Sequence, residues 1–461
     1  MMSKSELFSD FHEISSKAWK QKIQYELQGE DYNKKLVWES PEGIKVKPFY
    51  NSEDLKSLEL SELPKGNGWN IAQGIYAGNA KMANKKALDA ITRGAESIYF
   101  TIPSPEINIT ELLDEIDLGK TYIHFNLQFL SFAFVKSLLA ATENHHKKIF
   151  TNIDIIGHLA RNGNWHYKLD QDHKILGEIL NLNHDQTLGV DVALYGNAGA
   201  NMVQQLAYAL SHANEYLNHL NDHHKDKLKS AVITFKVPVG SNYFFEIAKL
   251  RSLRILFATL ANEYGALEYC HIMATPTLRN KTLYDYNTNM LRTATECMSA
   301  ILGEADTVLN TPYDAIYHKD NEFGERMARN QLLILKNESY FDKVNNAADG
   351  AYYIETITHQ LSSKALELFK QIEAGGGFLV QLKEHLIQKK IKESATKEQE
   401  SFNRRDKILV GTNKYASRLD KMKDELELYP FVKTNTRKTL IEPILEKRLS
   451  EEWEQERLKT E

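Results

Sequence analysis

From Trp69 onward the chain alternates between two kinds of pattern, and that alternation limits its possible folds more than any other feature. Short runs rich in apolar and β-branched residues occupy 69–76, 97–102, 122–127, 149–153, 188–195, 231–237, 269–274 and 307–309. Between them lie stretches with apolar residues three to four apart, such as 79–93, 129–143, 199–220, 243–264 and 287–302. The first kind reads as strands buried on both faces, the second as amphipathic helices. About eight strand–helix units succeed one another, the number of a TIM (β/α)8 barrel. An open doubly wound sheet shares the alternation, because strand order is not written in the sequence. No Gly-x-Gly-x-x-Gly follows any of the strands, which argues against dinucleotide binding.

Two further amphipathic helices occupy 323–378, around a polar loop from Asn345 to Gly350. The second ends at Gly375, Gly376 and Gly377, residues suited to a left-handed helix stop. These glycines follow a helix rather than precede one, so they do not form a phosphate cradle. Ahead of the barrel, Asp10 is placed to cap a helix burying Phe11, Ile14, Ala18, Ile23 and Leu27. Pro41 and Pro48 keep the next stretch extended, as an arm lying on another surface. Trp38, Pro48 and Tyr50 on that arm are the expected partner contacts. After Phe378 the chain becomes charged, with helical patterns at 383–397 and 442–461. The expected organisation is an N-terminal helix and arm (1–65), an α/β barrel (66–380) and a charged helical linker region (381–461).

The net charge of −5 leaves no basic footprint for nucleic acid. The two cysteines, Cys270 and Cys297, have no metal or redox spacing, which suits a reducing cytoplasm. The first residues lack the apolar centre of a signal peptide, and no run is long enough to span a membrane. Of the 16 histidines, His219, His223 and His224 have a spacing compatible with zinc. Their segment is polar all round, so they read as exposed, as do His145 and His146. No metal site is expected.

In a barrel, chemistry belongs on the loops after the strands. Those loops offer Gln73, Tyr195, Asn197, Lys236, Thr275, Tyr313 and Asp314, with no paired carboxylates and no histidine beside a nucleophile. Asn289 and Arg292, one helical turn apart, could meet an anion such as a CoA phosphate.

Several stretches are more specific than periodicity. Arg329-Asn330, Glu338-Ser339, Tyr352-Tyr-Ile-Glu355 and Ile372-Glu-Ala-Gly-Gly376 stand in one order. To these add Phe244-Phe-Glu-Ile-Ala-Lys-Leu-Arg251, Asp285 to Thr293 with Asn289 and Arg292, and Val410-Gly-Thr-Asn-Lys-Tyr415. Together they resemble the methylmalonyl-CoA mutase family over nearly the whole chain. The resemblance implies a substrate barrel with a wrapping N-terminal arm. It also implies adenosylcobalamin chemistry, a radical rearrangement of methylmalonyl-CoA to succinyl-CoA.

The chain departs from that family where its chemistry resides. An Arg-x-Tyr-Ala-Gly pattern is replaced by Trp69-Asn-Ile-Ala-Gln-Gly74, and the His expected after Tyr195 is Gly196. Thr275-Pro276 stands for Ser-Gly, and Asn346-Ala347 for Asp-Pro. The cobalt-ligating Asp-x-His-x-x-Gly is not matched, and no cobalamin-binding domain is expected. The resemblance therefore implies a non-catalytic small chain of a heterodimeric mutase, supporting a large subunit that holds the adenosylcobalamin. Two alternatives remain: the catalytic barrel of a split mutase, and a module that binds a CoA ester or a partner.

Overall fold

In the computed structural model, which describes residues 14–56, 68–143, 145–433 and 436–461, eight parallel strands run side by side. Numbered along the barrel they are β1 (Asn70–Tyr76), β2 (Ser97–Ile102), β3 (Tyr122–Leu127), β4 (Ile149–Phe150), β5 (Leu188–Asp191), β6 (Ile233–Val239), β7 (His271–Pro276) and β8 (Thr307–Leu309). Their hydrogen-bonded order is β4-β3-β2-β1-β8-β7-β6-β5. The two ends meet where Ile153, just past β4, bridges Leu188 of β5. Across this seam Thr151 N donates to Gln186 O (3.0 Å) and Gly189 N to Ile153 O (3.1 Å). The closed circuit is that of a TIM-like barrel rather than an open doubly wound sheet, and it leaves no sheet edge exposed.

Local chemistry sets the helix starts. Asn79 accepts from Met82 N ahead of Ala80–Thr92, and Ser131 from Phe134 N ahead of Phe132–Ala141. Asn201 and Gln204 form a reciprocal capping box at the head of Met202–His223. The main core lies between the outer barrel face and these helices. There Val190, Phe235, Ile272 and Val308 meet Leu206, Phe245, Leu253, Leu332 and Leu361. Inside the barrel, Ala72, Tyr99, Met273 and Leu309 form a separate cluster. Beside them His124 stacks on Phe150 at 4.3 Å, and His271 packs against Phe150 at 4.6 Å.

Two elements differ from the sequence expectation. The apolar run 188–195 is a strand only to Asp191, and Val192–Asn197 is a helix. A short apolar run carries no periodicity that separates the two states. In the charged region the helix expected at 383–397 forms as Leu386–Asn403, but of the pattern at 442–461 only Glu451–Thr460 is helical. Residues 440–449 run instead as a strap over the C-terminal end of the barrel. Leu440 N and Ile441 N donate to Gly163 O, Ile444 N to Ala160 O, Lys447 N to Asn197 O and Leu449 N to Arg279 O. Pro443 lacks the amide that a helix interior needs, and burial of Ile441, Ile444 and Leu449 favours the extended course.

The helices Glu322–Asn337 and Tyr352–Ala374 form as the periodicity indicates, and Gly376 and Gly377 adopt φ of 99° and 88° after the second. Asp10 and Phe11 lie outside the described residues. The arm helix is Ser16–Glu26, capped by Ser15. The arm rests on its own barrel. Trp38 sets its ring edge against Phe245 at 5.6 Å, and Tyr50 lies 5.4 Å from Tyr353. Trp38 stays half exposed and Pro48 exposed.

Candidate functional site: the barrel mouth

A cavity of about 690 Å³ opens at the C-terminal ends of the strands, within the usual range for small-ligand sites. Its walls carry Asn126 near the end of β3, Asn152 and Asp154 after β4, Asp191 at the end of β5, Lys236 on β6 and Thr275 on β7. The helix Ile155–Asn162 adds His158 and Arg161, and the strap adds Glu446.

Arg161 lies between two carboxylates. Its Nη2 is 2.8 Å from Asp191 Oδ2 and its Nη1 2.5 Å from Glu446 Oε2. The second oxygen of Glu446 accepts from Asn197 Nδ2 at 2.8 Å. Asn197 is fixed in turn, its Oδ1 accepting from Thr277 Oγ1 (2.8 Å) and Leu278 N (2.9 Å). Lys236 Nζ sits 5.2 Å from the centre of the Tyr99 ring. Burial disfavours its charge, but Tyr99 and Asp191 outweigh that and hold the ammonium above the ordinary lysine value. Such a lysine is a fixed cation, not a base or a nucleophile.

His158 and His166 stack with ring centres 3.4 Å apart. Burial lowers His158 to about 4 despite nearby Asp154, and lowers His166 to about 3. Both are neutral near pH 7, so the charges at the mouth are Arg161 and Lys236 against Asp154, Asp191 and Glu446. Asp154 is mainly a structural acceptor. It caps its helix through Gly157 N (2.7 Å), accepts from Tyr216 OH (2.7 Å) and Asp191 N (3.0 Å), and pairs with His212 Nε2 (2.9 Å).

Among the residues singled out from the sequence, Asn197, Lys236 and Thr275 line this cavity. Gln73 does not. It lies one residue from inward-facing Ala72 and so points outward, where Arg329 Nη1 donates to its Oε1 at 3.2 Å. Tyr195 is also elsewhere. Because 192–197 is helical, its ring turns into the layer behind the barrel, fully buried, with its hydroxyl 2.9 Å from His212 Nδ1. Tyr313 and Asp314 lie beyond the cavity lining, where Asp314 Oδ2 accepts from Asn321 Nδ2.

Asn289 and Arg292 do come together, but on protein groups. Asn289 is fully buried against the Thr282 backbone and Tyr313 O. Arg292 donates to Thr282 Oγ1, Asn289 Oδ1 and Val410 O. His219 contacts His173, His223 and His224 at ring distances of 5.1 to 5.5 Å. Among the described residues no group of three His, Cys, Asp or Glu could hold a metal ion.

The sequence reading missed Arg161, Asp191 and Glu446. Asp191 was reachable, being the last residue of β5, but the strand was extended past it. Glu446 comes from far along the chain, and no local pattern joins it to the mouth.

The fold and site together define a (β/α)8 barrel whose mouth is lined by charges of both signs and spanned by the segment 440–449. The family model for methylmalonyl-CoA mutase matches residues 104–460. The methylmalonyl-CoA mutase small subunit of Porphyromonas gingivalis is 34% identical, over 99% of this chain and 79% of that one. The small subunit of Streptomyces virginiae is 26% identical, over 81% of this chain and 65% of that one. The large subunit of P. gingivalis is 25% identical, over 88% of this chain and 64% of that one. The chain therefore belongs to the methylmalonyl-CoA mutase family. It spans less than two thirds of the length of the last two relatives.

Proposed function

We propose that this chain is the small subunit of a heterodimeric methylmalonyl-CoA mutase, supporting a large subunit rather than carrying the chemistry. The observation that carries this reading is the strap. It crosses the end of the barrel where barrel enzymes do their chemistry, and Glu446 satisfies both Arg161 and Asn197 there. The motif departures at Trp69–Gly74 and Gly196 point the same way.

Mutases of this family generally use adenosylcobalamin. The residues present do not fit that group. The described part of the chain offers no cluster of metal-ligating side chains, and the strap spans the mouth that a corrin would have to face. The reading places the cofactor on the large subunit. It assigns the outer face of the arm, with Trp38, Pro48 and Tyr50, to that partner. The two cysteines are free and buried, and among the described residues no helix is long and apolar enough to cross a membrane. A cytoplasmic chain suits this reading.

Equilibrium dialysis against adenosylcobalamin tests the assignment. The chain alone is expected to retain none, and to retain it only when mixed with a large subunit. Tight one-to-one binding by the isolated chain would overturn the reading.

A further inference from the structure

Four imidazoles meet among the outer helices, and none of them lines the mouth cavity. His219 and His223 stand one turn apart near the end of the helix Met202–His223, His224 follows it, and His173 comes from the helix Leu169–Leu180. From the sequence the segment reads as exposed. The structure half-buries His219 and His224 and brings His173 to them, which no spacing in the sequence shows. The ring of His219 lies 5.1 Å from that of His223 and 5.5 Å from those of His173 and His224. Imidazoles around a tetrahedral cation have this spacing. A zinc–nitrogen bond of about 2.0–2.1 Å puts each ring centre about 3.2 Å from the metal, and two such rings about 5.2 Å apart.

The surroundings suit a cation. His219 Nε2 is shut off from solvent and has no hydrogen-bond partner. His173 Nδ1 lies 2.9 Å from Leu169 O, so it carries the proton and leaves Nε2 with its lone pair. A Cβ at Gly177 would stand 3.1 Å from His224 Nε2, so glycine there leaves the room that the ring occupies. Burial and the three neighbouring imidazoles lower His219 to about 4, so near pH 7 the ring is neutral and open to a metal. Asp222 and Asp226 place negative charge beside His219 and His224. The four rings are not a finished metal centre: in this conformation no three ligands among the described residues converge on one point. A chelate needs only two. His223 is exposed, and its ring turns readily about the Cβ–Cγ bond, so it can share a cation with His219 while water fills the other positions.

We propose that His219 and His223 chelate a divalent cation of the borderline class, such as Zn2+ or Ni2+, among the helices outside the barrel. Imidazole nitrogen selects these ions over Mg2+ and Ca2+, which take oxygen ligands. Occupancy pins the last turn of the helix Met202–His223. This assignment does not depend on the subunit reading, since it concerns this chain's own residues.

Zinc chloride is the probe, with magnesium chloride at equal concentration as the control. Calorimetric titration of the whole chain near neutral pH should show Zn2+ binding one to one and no binding of Mg2+. Zn2+ should also slow amide exchange over 219–224, and Mg2+ should not. His219→Gln and His223→Gln should each weaken Zn2+ by about tenfold or more. His359→Gln, an exposed histidine on another helix, should leave the affinity unchanged. A wild type that binds no Zn2+, or binds Mg2+ equally well, overturns the proposal. So does a folded His223→Gln that holds Zn2+ as tightly as the wild type, or a loss of affinity in His359→Gln equal to that in His223→Gln. Should His219→Gln not fold, His223→Gln decides alone, because its ring is exposed.

Discussion

The imidazole of His271 sits inside the barrel against Phe150 and His124, with Nε2 3.0 Å from Thr307 Oγ1. Burial lowers it from the ordinary 6.5 to about 4, with Asp306 opposing. The unfolded chain therefore binds a proton between these values that the folded chain refuses. Stability contributed by the neutral ring is full above about pH 6.5 and is lost as the pH falls towards 4. A tenfold difference in proton affinity between the two states is worth about 1.4 kcal/mol, so acidification from pH 7 to pH 5 costs about 2 kcal/mol through this one residue. The loss reaches about 3 kcal/mol below pH 4. Equilibrium urea unfolding followed by circular dichroism measures it, at pH 7 and pH 5, on the wild type and on His271→Gln. The glutamine keeps a partner for Thr307 but does not titrate. The variant should lose about 2 kcal/mol less between the two pH values than the wild type does. Equal losses would refute the reasoning, since they would mean that His271 is protonated alike in both states.

Other consequences are as direct. Asp154→Asn turns one oxygen into a donor facing Gly157 N, Asp191 N, Tyr216 OH or His212. It should destabilise by about 1–3 kcal/mol in urea unfolding, the usual cost of leaving a buried hydrogen-bonding group unsatisfied. Gly199 has φ +103°, and a Cβ there would lie 2.5 Å from Ala395 Cβ. Gly199→Ala should lower the melting temperature and loosen the helix Leu386–Asn403 first, seen as faster amide exchange there. Trp38→Ala with Tyr50→Ala should weaken large-subunit binding by tenfold or more, about 1.4 kcal/mol. Calorimetric titration against the large subunit measures it, and an unchanged affinity removes the arm from the interface.

The barrel was legible because its signals are local. Asn79 and Ser131 mark helix starts by their own side chains, and runs such as Ile233-Thr-Phe-Lys-Val237 carry the β-branched and aromatic residues that favour a strand. Facing was harder. Whether Gln73 points in or out depends on a one-residue register set by pairing with β2 and β8. The helix Val192–Asn197 was hidden because four apolar residues in a row fit either state. The strap was hidden for another reason. Its charges at Glu442, Glu446 and Lys447 have helical spacing, yet its backbone donors are taken by Gly163, Ala160, Asn197 and Arg279. Those partners lie 170 to 284 residues away, and only the closed barrel brings them together. The key site residue missed, Arg161, has the same origin, since its two carboxylates come from β5 and the strap.

A barrel that supports chemistry carried elsewhere is the central claim. Mutase activity after mixing, with size analysis of the same samples, tests it most directly. The chain is assayed alone, with a large subunit carrying a cobalamin domain, and with an isolated cobalamin-domain chain. Activity and a stable heterodimer are predicted only with the full large subunit. Activity with the isolated cobalamin domain would contradict the claim, because this barrel would then be the catalyst.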